Sequence, residues 1–233
     1  TVTIGGITKG SGMIHPNMAT TLTFLTTDAA VEPAFFKEVL RDAVDSTLNM
    51  VSVDGDMSTN DSVIILANGA TGGEVISWDS DDAETFQRAL MQVCAHLSRE
   101  IARDGEGATK VITVTVDGAR TLVDARKAAK SVATSSLVKT AVTGNDPNWG
   151  RILASVGASG AEVVEDKIAL YINDVCIMED GRPVPFFKDA VVAIMREQDV
   201  SFRISLGLGD ASAQAWGCNL TNEYVTINSA YTT

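Results

Sequence analysis

The sequence predicts a mixed α/β protein whose largely antiparallel sheets are layered with flanking helices. Two observations predict it: segments with helical spacing separate pairs of strand-like runs, and the chain ends in a strand-rich tail. No repeat, low-complexity tract or obvious linker interrupts the 233 residues. That length fits one large domain or two small ones, with enough chain to bury a substantial core.

The elements follow in order. Residues 21–27 read as a strand with Leu22, Phe24 and Leu25 supplying its apolar side. Pro33 opens a helix in which Phe36, Val39, Leu40, Ala43, Val44 and Leu48 recur at helical spacing. Residues 54–61 form a polar turn that leads into a buried strand at 62–67. After a glycine loop at 69–73, Asp81 or Asp82 begins a second helix that carries His96 and reaches about Arg103. In residues 110–116, Val111, Thr113 and Thr115 alternate with Ile112, Val114 and Val116, the period of a strand. Residues 120–141 read as one long helix rich in alanine and lysine, with Val132, Leu137 and Val138 toward the core.

Asp146 as N-cap and Pro147 at the first helical position predict another helix start, because proline's missing N–H costs nothing there. Trp149, Ile152, Leu153 and Val156 follow before Gly157 and Gly160 end that helix. Two short strands at 168–172 and 175–177 are joined by an Asn173–Asp174 turn. A helix at 185–196 and three strands near 201–206, 211–218 and 223–227 complete the prediction.

Composition excludes several classes. The chain is 45% hydrophobic and 21% charged, ordinary for a folded protein, with a formal net charge of −12. That charge disfavours a nucleic-acid surface and gives weak support for a small cationic substrate. No apolar run reaches the ~18–20 residues of a membrane span, and no basic-then-apolar secretory leader is expected, so a cytoplasmic protein is expected. Cys94, Cys176 and Cys218 are widely spaced, which predicts three buried, reduced thiols. With only His15 and His96 available, neither a histidine triad nor a metal site is expected. Lys9 is followed by Gly10, which breaks a phosphate-loop pattern, and Gly105 and Gly107 lack the third glycine of a dinucleotide fingerprint. Asp54, Asp56 and Ser58 have calcium-loop spacing, but Thr59 and Ile65 stand where glycine and glutamate are required.

Residues 9–22 carry the most chemistry: a glycine-loosened turn ends in Thr20 and runs into an apolar strand. A threonine becomes a strong nucleophile when its own peptide bond is cut, because the freed α-amine, with a pKa of roughly 8, can serve as its base. An Ala–Thr pair before a strand is otherwise unremarkable, since β-branched residues suit strands. Here the run Lys9-Gly10-Ser11-Gly12-Met13, continued by Pro16-Asn17-Met18-Ala19-Thr20, resembles the cleavage motif of the ornithine acetyltransferases, the glutamate N-acetyltransferases of arginine biosynthesis. Residues 53–61, 104–110, 143–151 and 215–221, the last followed by the tail at 224–233, resemble that family's other blocks in the same order.

The resemblance implies a layered sheet sandwich flanked by helices and autoproteolysis between Ala19 and Thr20. Thr20 would take the acetyl group from N-acetylornithine and pass it to glutamate. No cofactor is implied, although acetyl-CoA would be a second acetyl donor if the enzyme is bifunctional. Lys9, Thr20, Glu106, Asn228 and Thr233 match the family's substrate-binding positions. Lys9 offers a fixed charge for a carboxylate, and Glu106, between two glycines, suits an ornithine ammonium group. Read without the resemblance, Lys9 is an exposed lysine, Glu106 a turn residue and the tail a frayed end. The polar groups at 54–61 and 145–151 read as structural supports, through Asx turns and capping.

In family terms, residues 1–19 correspond to the end of a first fragment, with 1–4 as a strand upstream of the cut, and 20–233 to the second fragment. Thr1 lacks any matching motif and is not the nucleophile. The rest of the first fragment would bring the oxyanion-hole donors, often worth ~3 kcal/mol of barrier. The 233 residues alone are therefore expected to be inactive or to pair with it, and two such pairs to assemble as a heterotetramer. Two other readings stand beside this one: an amidohydrolase or aminopeptidase in which water resolves the acyl-enzyme, and an uncut structural or regulatory fragment.

Overall fold

Residues 1–15, 21–60 and 62–230 are described by the computed structural model. In chain order they form β1 (Ile4–Lys9), β2 (Leu22–Thr27), α1 (Pro33–Ser46), β3 (Val51–Ser52), β4 (Ser62–Ala67), α2 (Ala83–Arg103), β5 (Val111–Ala119), α3 (Leu122–Thr134) and α4 (Ser136–Thr143). Then follow α5 (Trp149–Gly157), β6 (Ala169–Ile172), β7 (Val175–Glu179), β8 (Arg182–Pro183), α6 (Lys188–Met195), β9 (Asp199–Ser205), β10 (Ala211–Cys218) and α7 (Asn222–Ala230). The strands make a three-stranded sheet, β1-β2-β4, and a seven-stranded sheet, β3-β10-β5-β9-β6-β7-β8. Among the described strands five pairings are antiparallel and three parallel, the mixed α/β class that the sequence predicts.

Alternation in the sequence decides which way each strand faces. In β2, Thr23, Leu25 and Thr27 turn inward while Leu22, Phe24 and Thr26 turn out. The inward side meets α1 and α2, whose Phe35, Val39, Phe86, Leu90 and Cys94 close a core around Leu25. Phe35, Val39 and Ala43 recur every four residues, so one stripe of α1 is buried. Pro33 begins that helix, and the Glu32 carboxylate accepts from the Ala34 and Phe35 N–H groups.

The large sheet is closed on one side by α3. Its buried face is mostly alanine (Ala125, Ala128, Ala129, Ala133) with Val132, so the helix comes close to the strands. A Cβ on Gly217 of β10 would stand 2.8 Å from the Ala133 carbonyl oxygen, which is why that position needs glycine. Ile112, Val114, Val116, Phe202 and Ile204 supply the sheet's share of this core. The other face is polar: Gln214 donates to Thr115 Oγ1 (3.1 Å), and the Arg203 guanidinium lies 3.9 Å from the centre of the Tyr171 ring.

Several expectations are corrected. The single helix over 120–141 is two: Ser135 is extended, and its hydroxyl accepts from the Val138 N–H to cap α4. Leu137, expected in the core, is 60% exposed. The next helix starts not at Asp146–Pro147 but after Asn148, whose Oδ1 accepts from the Arg151 N–H (3.2 Å). The strand over 62–67 forms as β4, yet it is exposed on its outward side rather than buried. The upstream strand begins at Ile4, where it was expected to end. The run at 223–227 lies in α7, a helix, not a strand, for reasons that belong to the site below. Cys94 and Cys218 are buried as expected, but Cys176 is only half-buried. Among the described residues, no helix is long and apolar enough to cross a membrane and no group of three or more His, Cys, Asp or Glu could hold a metal ion.

Candidate active site

Strand β1 ends at Lys9, paired with Leu22 at the start of β2, so the long connection between them leaves and returns at one end of the small sheet. Its first half is pinned by one carboxylate. Asp54 accepts from two consecutive backbone N–H groups, Met13 (2.6 Å to Oδ2) and Ile14 (3.0 Å to Oδ1). Met13 is held at φ 53°, a left-handed conformation that a methionine rarely adopts unaided. The Val53 N–H donates to the Ile14 carbonyl (2.7 Å), and the Ile14 side chain is fully buried.

Glu106 meets the same turn from the other side. Its N–H donates to the Ser11 carbonyl (2.8 Å), and a Cβ on Gly12 would stand 2.5 Å from its carboxylate. Glycine at position 12 is what lets that carboxylate lie against the turn. Helix α7 then closes over Glu106: Asn228 Nδ2 donates to Glu106 Oε2 (2.9 Å) and to the Tyr224 carbonyl (3.0 Å). The Tyr224 hydroxyl donates to Asp54 Oδ2 (3.4 Å). Burial, then the nearby Asp54 and Asp56 carboxylates, push the Tyr224 hydroxyl up to about 12, which keeps it protonated as a donor. Thr221 Oγ1 donates to the Gly107 carbonyl (2.7 Å) at the start of the helix. These contacts, not an apolar stripe, hold residues 222–230 helical.

A cavity of about 380 Å³ opens here, lined by Lys9, Ser11, Thr21, Ser58, Asn60 and Glu106 among others. An ammonium and a carboxylate on one cavity wall suit a small molecule with both charges, such as an amino acid. Two larger cavities lie elsewhere, about 710 Å³ beside β1 and α2 and about 620 Å³ beside α3 and α5. Neither gathers the predicted residues, so volume alone is no guide.

Of the residues singled out by sequence, Lys9 and Glu106 line this cavity, and Asn228 bonds Glu106 from α7. Ala19, Thr20 and Thr233 lie outside the described residues. Thr21, next to Thr20 in the chain, is buried, lines the cavity, and accepts at its carbonyl from the Ser62 N–H (2.8 Å). Asp54 reads from sequence as a structural support only, and Tyr224 only as part of the tail. Asp54 sits in a turn-rich block where an Asx turn explains it, and Tyr224 carries no local signal.

A family-level comparison matches residues 1–233 to the ArgJ family. The chain belongs to the ArgJ family. Over all 233 residues it is 54% identical to the arginine biosynthesis bifunctional protein ArgJ of Symbiobacterium thermophilum and 45% identical to that of Bacillus subtilis. It spans only 58% and 57% of the length of those relatives. The crystal structure of the arginine biosynthesis bifunctional protein ArgJ from Bacillus halodurans matches with a TM-score of 0.86 at 39% identity, over 88% of this chain and 97% of that one.

The remaining blocks of this ArgJ-family chain are tied to one another by side chains. Asn219 accepts from the Thr109 and Lys110 N–H groups (2.9 Å each) and donates to Thr143 Oγ1 (3.1 Å), so one side chain ties three blocks together. Lys139, 3% exposed, donates to the Val53 carbonyl and lies 3.8 Å from Cys218 Sγ. Burial lowers its pKa, opposed by Cys218 and Asp54. The support reading of residues 54–61 and 145–151 holds at two positions: Asp54 fixes the turn, and Asn145 Oδ1 accepts from Lys110.

Proposed function

We propose that this chain is the nucleophile-bearing piece of a cytoplasmic acetyltransferase of arginine biosynthesis, which moves an acetyl group from N-acetylornithine to glutamate. The observation that carries the reading is convergence: Lys9 and Glu106, distant in sequence, line one cavity whose wall includes Thr21, the neighbour of Thr20, and Asn228 bonds the Glu106 carboxylate there. Autoproteolysis between Ala19 and Thr20 frees the Thr20 α-amine. That amine takes the Thr20 Oγ proton as Oγ attacks the acetyl carbonyl, and ornithine leaves as its amine. The amine of glutamate then attacks the acetyl-threonine ester and regenerates the hydroxyl. Asn228 occupies Glu106 Oε2, which leaves Oε1 for the substrate ammonium, while Lys9 receives a substrate carboxylate. Thr233 is assigned to the same substrate contacts on the resemblance alone.

Two facts support a two-piece enzyme. The chain spans under three-fifths of full-length relatives, whereas the Bacillus halodurans crystal chain, matched over 97% of its length, is itself a shorter piece. The donors for the oxyanion are assigned to the portion outside these 233 residues, so the isolated chain should be inactive.

Rapid-quench intact-mass measurement of the full-length protein with N-acetylornithine tests the reading. One added acetyl group on the fragment beginning at Thr20, lost in Thr20→Ala, is expected; no adduct would overturn it. Free acetate in place of acetylglutamate would assign a hydrolase instead. An uncut chain that binds no acetylornithine would make it non-catalytic. The same adduct from acetyl-CoA would establish a second donor.

A further inference from the structure

The three-stranded sheet has helices on one side only. Its inward residues pack on α1 and α2, while the residues of the other face are exposed. The register sets Ile7, Phe24 and Ile64 directly opposite one another across the three strands. They are 69%, 45% and 43% exposed, and Leu22 (43%) and Leu66 (63%) extend the row on the same face. Lys9 is the only charged residue in β1, β2 and β4, in a chain with 21% charged residues. A contiguous apolar face depleted of charge is the signature of a surface that is covered in the working molecule.

We propose that this face is the docking surface for the portion of the full-length protein that lies outside these 233 residues, the first fragment of the precursor. The proposal rests on the reading that the chain works as one piece of a cut precursor. Two observations favour that occupant. The chain spans 57–58% of its relatives' length, so about two-fifths of the protein remains to be placed against it. The face also runs directly into the candidate site: Lys9 and Leu22, at its end, line the 380 Å³ cavity. An element laid on Ile7, Phe24 and Ile64 therefore reaches the mouth of that cavity and walls it. A second copy of this chain would cover the face but leave those two-fifths unplaced.

The test places a photo-reactive benzoylphenylalanine at Ile7 or Leu66 of the full-length protein, with Leu137, exposed on α4, as the control position. Mass spectrometry should find crosslinks from positions 7 and 66 to peptides outside residues 1–233, and none of these from position 137. Crosslinks to a second copy's residues 1–233, or no crosslinks from either position, would overturn the proposal. Measuring the crosslink and the acetyl adduct on the same full-length protein with Thr20 in place separates the two claims, because the crosslink needs no acetyl transfer. A crosslink without an acetyl adduct keeps the surface and sinks the reaction; an adduct without a crosslink does the reverse.

Discussion

Across the large sheet, Gln214, Thr115, Arg203 and Tyr171 stand side by side on four neighbouring strands. Across the small sheet, the corresponding outward row is Ile7, Phe24 and Ile64. The first row satisfies itself, with Gln214 bonded to Thr115 and Arg203 lying over Tyr171 and 3.5 Å from Asp117. Its polar groups find their partners within the row and the residues beside it. The second row has nothing polar to offer water, and burying side chains of that size stabilises by ~1.5–3 kcal/mol each. Two sheets of one chain thus differ in whether they are finished, and the unfinished one borders the candidate site.

The largest effect expected comes from comparing one phenylalanine in each sheet. Phe202, 2% exposed, lies in the core under the large sheet, and Phe202→Ala should cost ~3–5 kcal/mol in urea unfolding. In the full-length protein, Phe24→Ala should approach that range if the proposed docking buries it. A cost below ~1 kcal/mol at Phe24, as expected of a half-exposed surface residue, would mean the face looks onto water.

A smaller effect is expected at the turn that joins β1 to the cleavage segment. Asp54→Ala removes the acceptor of three backbone N–H groups, those of Met13, Ile14 and Asp56, and of the Tyr224 hydroxyl, a loss of ~1–3 kcal/mol. Processing at Ala19–Thr20, followed by denaturing electrophoresis, should slow with it. Unchanged processing would show that Asp54 supports the fold without positioning the cut. Smaller still in stability is Gly12→Ala, whose Cβ displaces the flexible end of Glu106. It should raise KM for N-acetylornithine several-fold and leave the unfolding midpoint almost unmoved; an unchanged KM would remove Glu106 from the substrate contacts.

The same comparison explains what the sequence could and could not reveal. Helices α1 and α2 were legible because Pro33 and an apolar stripe mark them locally. Strand β4 reads as buried because Val63, Ile64, Ile65 and Leu66 form an unbroken apolar run, the pattern of a strand covered on both faces. The chain supplies helices for only one of those faces, so the misreading points to the same missing cover. Helix α7 was illegible for the opposite reason. Tyr224, Val225, Thr226 and Ile227 favour a strand, and no residue of the helix is buried. Its conformation is fixed by Thr221 on Gly107, Asn228 on Glu106 and Tyr224 on Asp54, contacts between residues more than a hundred apart. In the site, Lys9, Glu106 and Asn228 were legible only through resemblance. Asp54 hid behind an ordinary Asx turn, since the Oδ1 that accepts from Asp56 N–H (3.2 Å) also accepts from Ile14.

The smallest effect expected is a change of slope with pH, and it has opposite signs in the two regions. Beneath the small sheet, burial raises the Cys94 thiol to about 11 from an ordinary 9.0. On α3, beside the large sheet, burial lowers the Lys130 ammonium to about 8 from 10.5. Between those values the unfolded chain binds more protons at Lys130 and fewer at Cys94 than the folded one. Stability contributed through Lys130 therefore rises from about pH 8 to 10.5, while that through Cys94 falls from about pH 9 to 11. Tyr224, pushed up to about 12, adds to the fall above its ordinary 10.0. Urea midpoints measured from pH 7.5 to 11 should climb between pH 8 and 9, where Lys130 acts before Cys94. Lys130→Met should flatten that climb, and Cys94→Ala should flatten the decline above it. A climb that survives Lys130→Met would mean that the ammonium keeps its hydration in the folded protein.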